Sequence, residues 1–248
     1  MIELSVIVPA FNEEERLGRT MLSIISYVRT LPYASEILVV DDGSRDKTAD
    51  IARRYSSAHP HFKVLRYDNN RGKGFAVRTG MLNALGRYRL FMDADGSTDI
   101  RHWSAVRKAL NESDIVIGSR HVEGSRIDIH QAPYREALGT LFRRVVRVLF
   151  GLTINDTQNG FKAFTADAAE RIFRRQTVSG WAFDVEVLSM AKRLGYSMME
   201  VPITWIDDDR SRMTLRAMPR MLVDILKIRL STLRSRERAQ TLETPQWV

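Results

Sequence analysis

Short apolar runs alternate along the first half of this chain with longer amphipathic stretches, and each run stops at a polar cluster. Leu4 to Val8 reads as a strand buried on both faces and closed by Pro9. Asn12-Glu13-Glu14-Glu15 then opens an amphipathic helix through about Arg29, its acids in the first turn where the helix dipole favours them. Glu36 to Val40 is a second buried strand, followed by a helix from about Asp46 to Ser57 with Asp46 or Thr48 near its cap. Phe62 to Tyr67 is a third strand, Phe75 to Leu85 a helix, Tyr88 to Met92 a fourth strand and Asp114 to Gly118 a fifth. Strands alternating with helices of this length predict an α/β fold built on a parallel, right-handed, doubly wound sheet.

In such sheets ligands bind at the carboxyl ends of the strands. Here those ends read Pro9-Ala10-Phe11-Asn12-Glu13, Asp41-Asp42-Gly43-Ser44, Arg71-Gly72-Lys73-Gly74 and Asp93-Ala94-Asp95-Gly96. Two carboxylates spaced i, i+2 at the end of an apolar strand are costly to bury without partners. They could share a hard divalent cation carrying substrate phosphates, as Mg²⁺ does with one or two protein carboxylates. The plainer alternative is a turn, since Asp-Gly is a common turn dipeptide. Neither a Walker loop nor a Gly-x-Gly-x-x-Gly turn after the first strand occurs, which argues against a dinucleotide oxidoreductase.

Composition narrows the partners. The 248 residues carry a net charge of +8 and no cysteine, with a pI near 10.0. An anionic partner is expected: nucleic acid, a phospholipid surface or a phosphorylated substrate. Without cysteine there is no disulfide framework, and a reducing cytoplasm fits. The amino terminus runs straight into a strand with no basic leader and apolar core, and no apolar run is long enough to span a bilayer. The basic residues concentrate in the second half beside apolar ones. In 134–150, Leu138, Leu141, Phe142, Val145, Val146, Leu149 and Phe150 alternate with Arg135, Arg143, Arg144 and Arg147; a helix over about 217–234 repeats the theme. Such stretches suit an anionic headgroup layer, or they pack on the domain or on a second subunit. Zinc spacing and an RNP-like aromatic motif are lacking, so nucleic acid is not the expected partner. The expected organisation is a main domain over 1–210, a basic amphipathic helical segment over 211–238 and a disordered tail over 239–248.

Seven motifs in order then resemble one family. Val6-Ile7-Val8-Pro9-Ala10-Phe11-Asn12-Glu13-Glu14, Val39-Val40-Asp41-Asp42-Gly43-Ser44, Asn70-Arg71-Gly72-Lys73-Gly74 and Asp93-Ala94-Asp95-Gly96 resemble glycosyltransferase family 2, the inverting GT-A enzymes. Gly118-Ser119-Arg120, Asp156 to Phe164 and Trp181 to Glu186 are similar to the branch that glucosylates dolichyl phosphate, with the mannose synthases as sister group. The resemblance runs from about residue 4 to about residue 230. It implies a GT-A fold, a doubly wound mixed sheet with C-terminal amphipathic helices.

It also implies a site. Pro9, Ala10, Phe11 and Glu13 would line the nucleoside pocket, Asp42 rather than Asp41 would meet the base edge, and Lys73, Asp93 and Ala94 would complete the nucleotide-sugar contacts. Asp95, with Asp93, would hold Mg²⁺ or Mn²⁺. In the mannose enzymes a Gln often stands two residues after the second Asp; Ser97 occupies that position here, which departs from the mannose pattern and leaves the full ligand set open. Arg120 and Arg135 would hold an acceptor phosphate, unless they pair with acids such as Glu123 or Glu136. Asp156 would be catalytic together with Asp95 and Arg120, its alternative being a helix cap. Gln158, Lys162, Trp181 and Asp184 would line the acceptor and sugar pocket, although a tryptophan is as readily a core residue.

The implied reaction moves a hexose, glucose from UDP-glucose first, onto a polyprenyl or dolichyl monophosphate with inversion. GDP-mannose as donor and a non-lipid glycan as acceptor are the alternatives. A place on the cytoplasmic face of a membrane is expected, and a homo-oligomer is left open.

Overall fold

The computed structural model describes residues 1–129, 133–206, 221 and 223–230, the side chains of 129 and 133–138 excepted. Its centre is a seven-stranded sheet of order β3-β2-β1-β4-β7-β5-β8. The strands are β1 (Leu4–Ala10), β2 (Ser35–Asp41), β3 (Phe62–Arg66), β4 (Tyr88–Met92), β5 (Ile115–Ser119), β7 (Phe161–Thr165) and β8 (Met198–Pro202). A second sheet pairs β6 (Arg126–Ile129) with β9 (Thr204–Ile206) in parallel. The helices are α1 (Leu17–Val28), α2 (Thr48–Arg54), α3 (Lys73–Asn83), α4 (Trp103–Ala109), α5 (Pro133–Phe150), α6 (Ala166–Phe173) and α7 (Phe183–Arg193).

The strands β1, β2, β4 and β5 are buried on both faces, as their continuous apolar runs require, while the edge strands β3 and β8 are only half-buried. Ile7, Leu38, Val40 and Phe91 face a core shared with α3, α6 and α7, while Val6, Val8, Ile37, Val39 and Leu90 face the opposite core with α1 and Trp103. β1 to β4 are parallel. The expectation of a wholly parallel sheet fails at β7, which is antiparallel to both β4 and β5. After α5, the loop 151–160 returns the chain to the carboxyl end of β4, so β7 starts at the functional rim and runs away from it. The mixed sheet implied by the family resemblance is the one observed.

Two local expectations are corrected. Pro9 lies within β1, paired in register with Val40. It is tolerated because β4 accompanies β1 only as far as Ile7, leaving the strand exit one-sided. The first helix begins at Leu17 with no acid in its first turn. Residues 12–15 instead lock onto the following loop, where Asn12 N–H donates to Ser44 Oγ (2.8 Å), Glu13 N–H to Thr48 Oγ1 (2.6 Å), and Arg45 N–H to Asn12 Oδ1 (2.8 Å). Of the helical segment expected over 211–238, residues 221 and 223–230 are described and helical. The rest of that segment and the expected tail 239–248 lie outside the described residues.

Candidate active site

The interlocked loops after β1 and β2 create a pocket of about 170 Å³ lined by Phe11, Asn12, Gly43, Arg45, Asp68, Asn69 and Asn70. Gly43 permits the close approach: its φ is +76°, and a side chain there would strike the backbone of Asn69 and Asn70. Of the residues expected to line a nucleoside pocket, Phe11 lines this cavity. Pro9 and Ala10 stay buried in β1, and the Glu13 carboxylate is clasped by Arg16 Nε (2.7 Å) and Nη2 (2.6 Å).

Asp42 sits at the next strand exit, and both its oxygens are engaged. Oδ1 accepts from Arg71 N–H (2.9 Å) and Oδ2 from Gly72 N–H (2.8 Å). Burial pushes the Asp42 carboxyl up, with those two N–H groups pulling the other way. The acid expected at a base edge therefore also clamps the glycine-rich turn. That turn is gripped from its far side too, since Gln176 Nε2 donates to the carbonyls of Gly74 (2.8 Å) and Val178 (2.8 Å). Buried Glu186 accepts from the N–H groups of Thr177 and Val178, holding the loop against the turn.

The turn delivers Lys73 to the carboxylates. Its Nζ stands 2.6 Å from Asp93 Oδ1 and 5.2 Å from the centroid of the Trp181 ring. Burial alone would lower the lysine pKa, but Asp93, Asp184 and Asp95 together raise it, so Lys73 is a firm cation. Asp95 is raised by burial and then by Asp93, against a hydrogen bond from Ser97 N–H to Oδ1 (2.9 Å). The Asp93–Asp95 loop is fixed from both sides. Thr20 Oγ1 donates to the Ala94 carbonyl (2.8 Å), and Asp93 N–H donates to the Gly160 carbonyl (3.0 Å).

Across the rim, Asp156 and Arg120 form a bidentate pair. Nε lies 2.8 Å from Oδ2 and Nη2 2.9 Å from Oδ1, and the Arg120 N–H adds a third bond at 3.0 Å. Asp156 is fully buried, which alone would raise its pKa, yet the Arg120 guanidinium holds it at about 2. Glu200 on β8 supports the loop by accepting from the N–H groups of Asn155 (2.8 Å) and Asp156 (2.9 Å). The helix-cap reading of Asp156 is not what the structure shows, because the residue lies in a loop.

The remaining expected residues divide. Lys162 and Asp184, expected to line a sugar pocket, are buried and paired with each other at 2.7 Å, so both heads are enclosed. A buried lysine is stable only with such a partner, which the separation of 22 residues hides in the sequence. Gln158 is half-buried, with no hydrogen bond among the described residues, on the loop joining Asp156 to the Gly160–Asp93 contact. The side chain of Arg135 lies outside the described residues. Trp205 gave no signal in the sequence; the structure puts its ring 4.9 Å from the Arg120 guanidinium carbon.

Among the described residues no group of three or more His, Cys, Asp or Glu side chains gathers to hold a metal. Two carboxylates at a strand end nevertheless fit Mg²⁺ or Mn²⁺, hard ions that take few protein ligands and fill the rest with phosphate oxygens and water. Asp95, whose ionisation is opposed by burial and by its neighbour Asp93, is the better placed of the two; Asp93 is already engaged by Lys73.

Residues 5–175 match the model of glycosyl transferase family 2. Among curated relatives, the dolichyl-phosphate beta-glucosyltransferase of Drosophila melanogaster is 40% identical over 228 residues, covering 86% of this chain and 70% of the relative. The Homo sapiens protein of the same description is 36% identical over 244 residues, covering 92% and 75%. Among solved structures, mannosyl-3-phosphoglycerate synthase from Rubrobacter xylanophilus superposes with a TM-score of 0.71 at 18% identity, covering 100% of this chain and 79% of that one. Glucosyl-3-phosphoglycerate synthase from Mycobacterium tuberculosis, solved with Mn²⁺, UDP and phosphoglyceric acid, gives 0.68 at 18% identity, covering 93% and 78%. At that identity the structural likeness establishes the GT-A fold and nothing finer.

Proposed function

The chain belongs to glycosyl transferase family 2, and from that premise we propose that it transfers glucose from UDP-glucose to a dolichyl or polyprenyl monophosphate, with inversion at the anomeric carbon. The observation that carries this reading is the placing of two charge clusters on one rim, at the carboxyl ends of β4 and β5. Lys73, Asp93 and Asp95 form one, and Arg120 with Asp156 forms the other.

In this reading the nucleoside enters the pocket beside Phe11, with Lys73 and Asp95 toward the diphosphate. Bound Mg²⁺ or Mn²⁺ would neutralise charge on the departing nucleoside diphosphate, held by Asp95 with Asp93 as the second carboxylate. Lys73 balances the negative charge of the loop and fixes the orientation of Asp93. A lipid phosphate is ionised near neutral pH and attacks with its own oxygen, so it needs positioning more than a base. Asp156, with a pKa of about 2, is a poor proton acceptor; its task is to hold the Arg120 fork in plane for the acceptor phosphate. Arg135 is assigned to the same phosphate, and Gln158 and Trp181 to the hexose between the clusters.

A lipid acceptor calls for a membrane surface. No helix among the described residues is long and apolar enough to cross a membrane. α5 buries Phe142, Val146 and Phe150 in the core but leaves Leu141, Val145 and Val148 exposed beside exposed Arg144 and Arg147. The 223–230 helix likewise buries Ile225 and Ile228 and exposes Val223, Leu226 and Leu230. One stripe of each helix therefore packs on the domain while another is left for an anionic headgroup layer, where basic residues each contribute about 1 kcal/mol. Peripheral attachment to the cytoplasmic leaflet fits this arrangement.

The test is incubation of purified protein with labelled UDP- and GDP-sugars and short prenyl phosphates, with and without EDTA. The expected product is an acid-labile, solvent-extractable glucosyl lipid, formed from UDP-glucose only when a divalent cation is present. Transfer to water or to a soluble glycan alone would sink the reading.

A further inference from the structure

The strand β9 joins the two charge clusters. At its leading edge, Ile203 N–H donates to the carbonyl of Ser119 (3.2 Å), the residue before Arg120. At its far end, Ile206 N–H donates to the carbonyl of Ser97 (3.0 Å), two residues after Asp95. Between these, Trp205 forms an antiparallel bridge with Thr98, and the Thr204 N–H donates to His102 Nε2 (3.1 Å). Three residues of extended chain reach about 10 Å. A single short strand thus spans from the acceptor arginine to the loop of Asp95.

Trp205 is the side chain on this strand that reaches the chemistry. Its ring lies against the Arg120 guanidinium, whose Nε and Nη2 already point at Asp156. A guanidinium fixed in its plane by a carboxylate and covered by an indole keeps one orientation, because arginine stacks on aromatic faces as well as forking to anions. Trp205 is itself only half-buried, so it does not serve chiefly as core.

We propose that Trp205 is a positioning residue for the acceptor phosphate: it holds Arg120 in register with the Asp95 loop through β9. This rests on the reading of Arg120 as the acceptor-phosphate ligand. It goes beyond that reading by assigning the register between donor and acceptor to one aromatic residue.

The experiment measures kcat, the KM for a short prenyl phosphate and the Kd for UDP with Mn²⁺ in the wild type, Trp205→Phe and Trp205→Leu. It adds Arg120→Lys alone and combined with Trp205→Leu, with melting temperatures throughout. Trp205→Leu should raise the acceptor KM about tenfold, with the Kd for UDP within about twofold of wild type, whereas Trp205→Phe should stay within about threefold. In the Arg120→Lys background the leucine substitution should add little, because its partner is already altered. An acceptor KM unchanged in Trp205→Leu, a phenylalanine variant as impaired as leucine, or full additivity with Arg120→Lys would each overturn the proposal. If Trp205→Leu does not fold, Trp205→Met, which also lacks an aromatic face, is measured in both Arg120 backgrounds and judged by the same criteria. A wild type that does not glucosylate prenyl phosphate would instead overturn the proposed function, so the two failures are told apart by the wild-type arm.

Discussion

Lys73 Nζ and Asp93 Oδ1 stand 2.6 Å apart at the junction of the glycine-rich turn and the carboxylate loop. The pair ties the glycine-rich turn to the carboxylate loop through charge. Lys73 answers three carboxylates at once, since Asp93, Asp184 and Asp95 all raise its pKa.

Replacing Lys73 by Met therefore removes the counter-charge of the whole cluster. Turnover with UDP-glucose should fall by at least about 100-fold, the scale of losing one preorganised charge at a reacting phosphate. The carboxylates left behind should also cost about 2 kcal/mol of stability, less than for a fully enclosed pair because Asp93 is partly exposed. Initial rates and urea denaturation check both. Turnover within a few-fold of wild type would mean that Lys73 serves only as structure.

Gly160 tests how closely the site is built. A Cβ added there would collide with the carboxylate of Asp93. The collision is with the end of a short side chain, not with backbone, so the fold can yield by turning Asp93 away from Lys73. Gly160→Ala should thus lower kcat about tenfold or more while the melting temperature moves by only a few degrees. A large loss of stability at unchanged activity would contradict this geometry.

The Asp156–Arg120 pair makes a prediction about pH. The folded pKa of Asp156 is depressed from 3.8 to about 2. A depressed carboxyl adds stability that is present above its unfolded value and is lost as pH falls through the folded one. The window lies between about pH 4 and pH 2, and the contribution is about 2 kcal/mol. Wild-type stability should drop across that window by more than that of Asp156→Asn, whose asparagine cannot titrate. Between pH 5 and 8 the rate profile should carry no inflection from Asp156. An acidic limb in that range abolished by Asp156→Asn would make it a proton acceptor after all.

Much of this arrangement is legible in the chain. The strands β1 to β4 follow from apolar runs, and β4 ends where its pattern stops, at Met92 before Asp93. Polar residues at every strand exit point to the rim. What the chain does not reveal is pairing across distance. Lys162 and Asp184 look like two site residues until the fold closes them on each other. Asp42 gives no hint in the chain that its oxygens accept from Arg71 and Gly72. Trp205 is silent, because nothing in a three-residue strand tells which side chain it meets. Periodicity encodes the environment of each residue, whereas these contacts depend on the path of the chain between them.

The exposed apolar stripes of α5 and the 223–230 helix give the last prediction. Leu141 is 61% exposed and Val148 83% exposed on α5, and Leu226 is 57% exposed on the 223–230 helix. None of the three holds the fold, so charging them should leave the melting temperature within a degree or two. Burying an apolar side chain in a lipid layer contributes about 1.5–3 kcal/mol when complete, and an aspartate there adds repulsion from anionic headgroups. The triple variant Leu141→Asp, Val148→Asp and Leu226→Asp should therefore lose at least about tenfold in binding to anionic vesicles, measured by co-sedimentation. Turnover of a water-soluble, short prenyl phosphate should persist, while turnover of a long-chain acceptor presented in vesicles falls with binding. Raising the salt concentration should weaken the wild type toward the variant, because exposed Arg144 and Arg147 act through screened charge. Vesicle binding unaffected by the three substitutions would place the lipid contact on another face of the molecule.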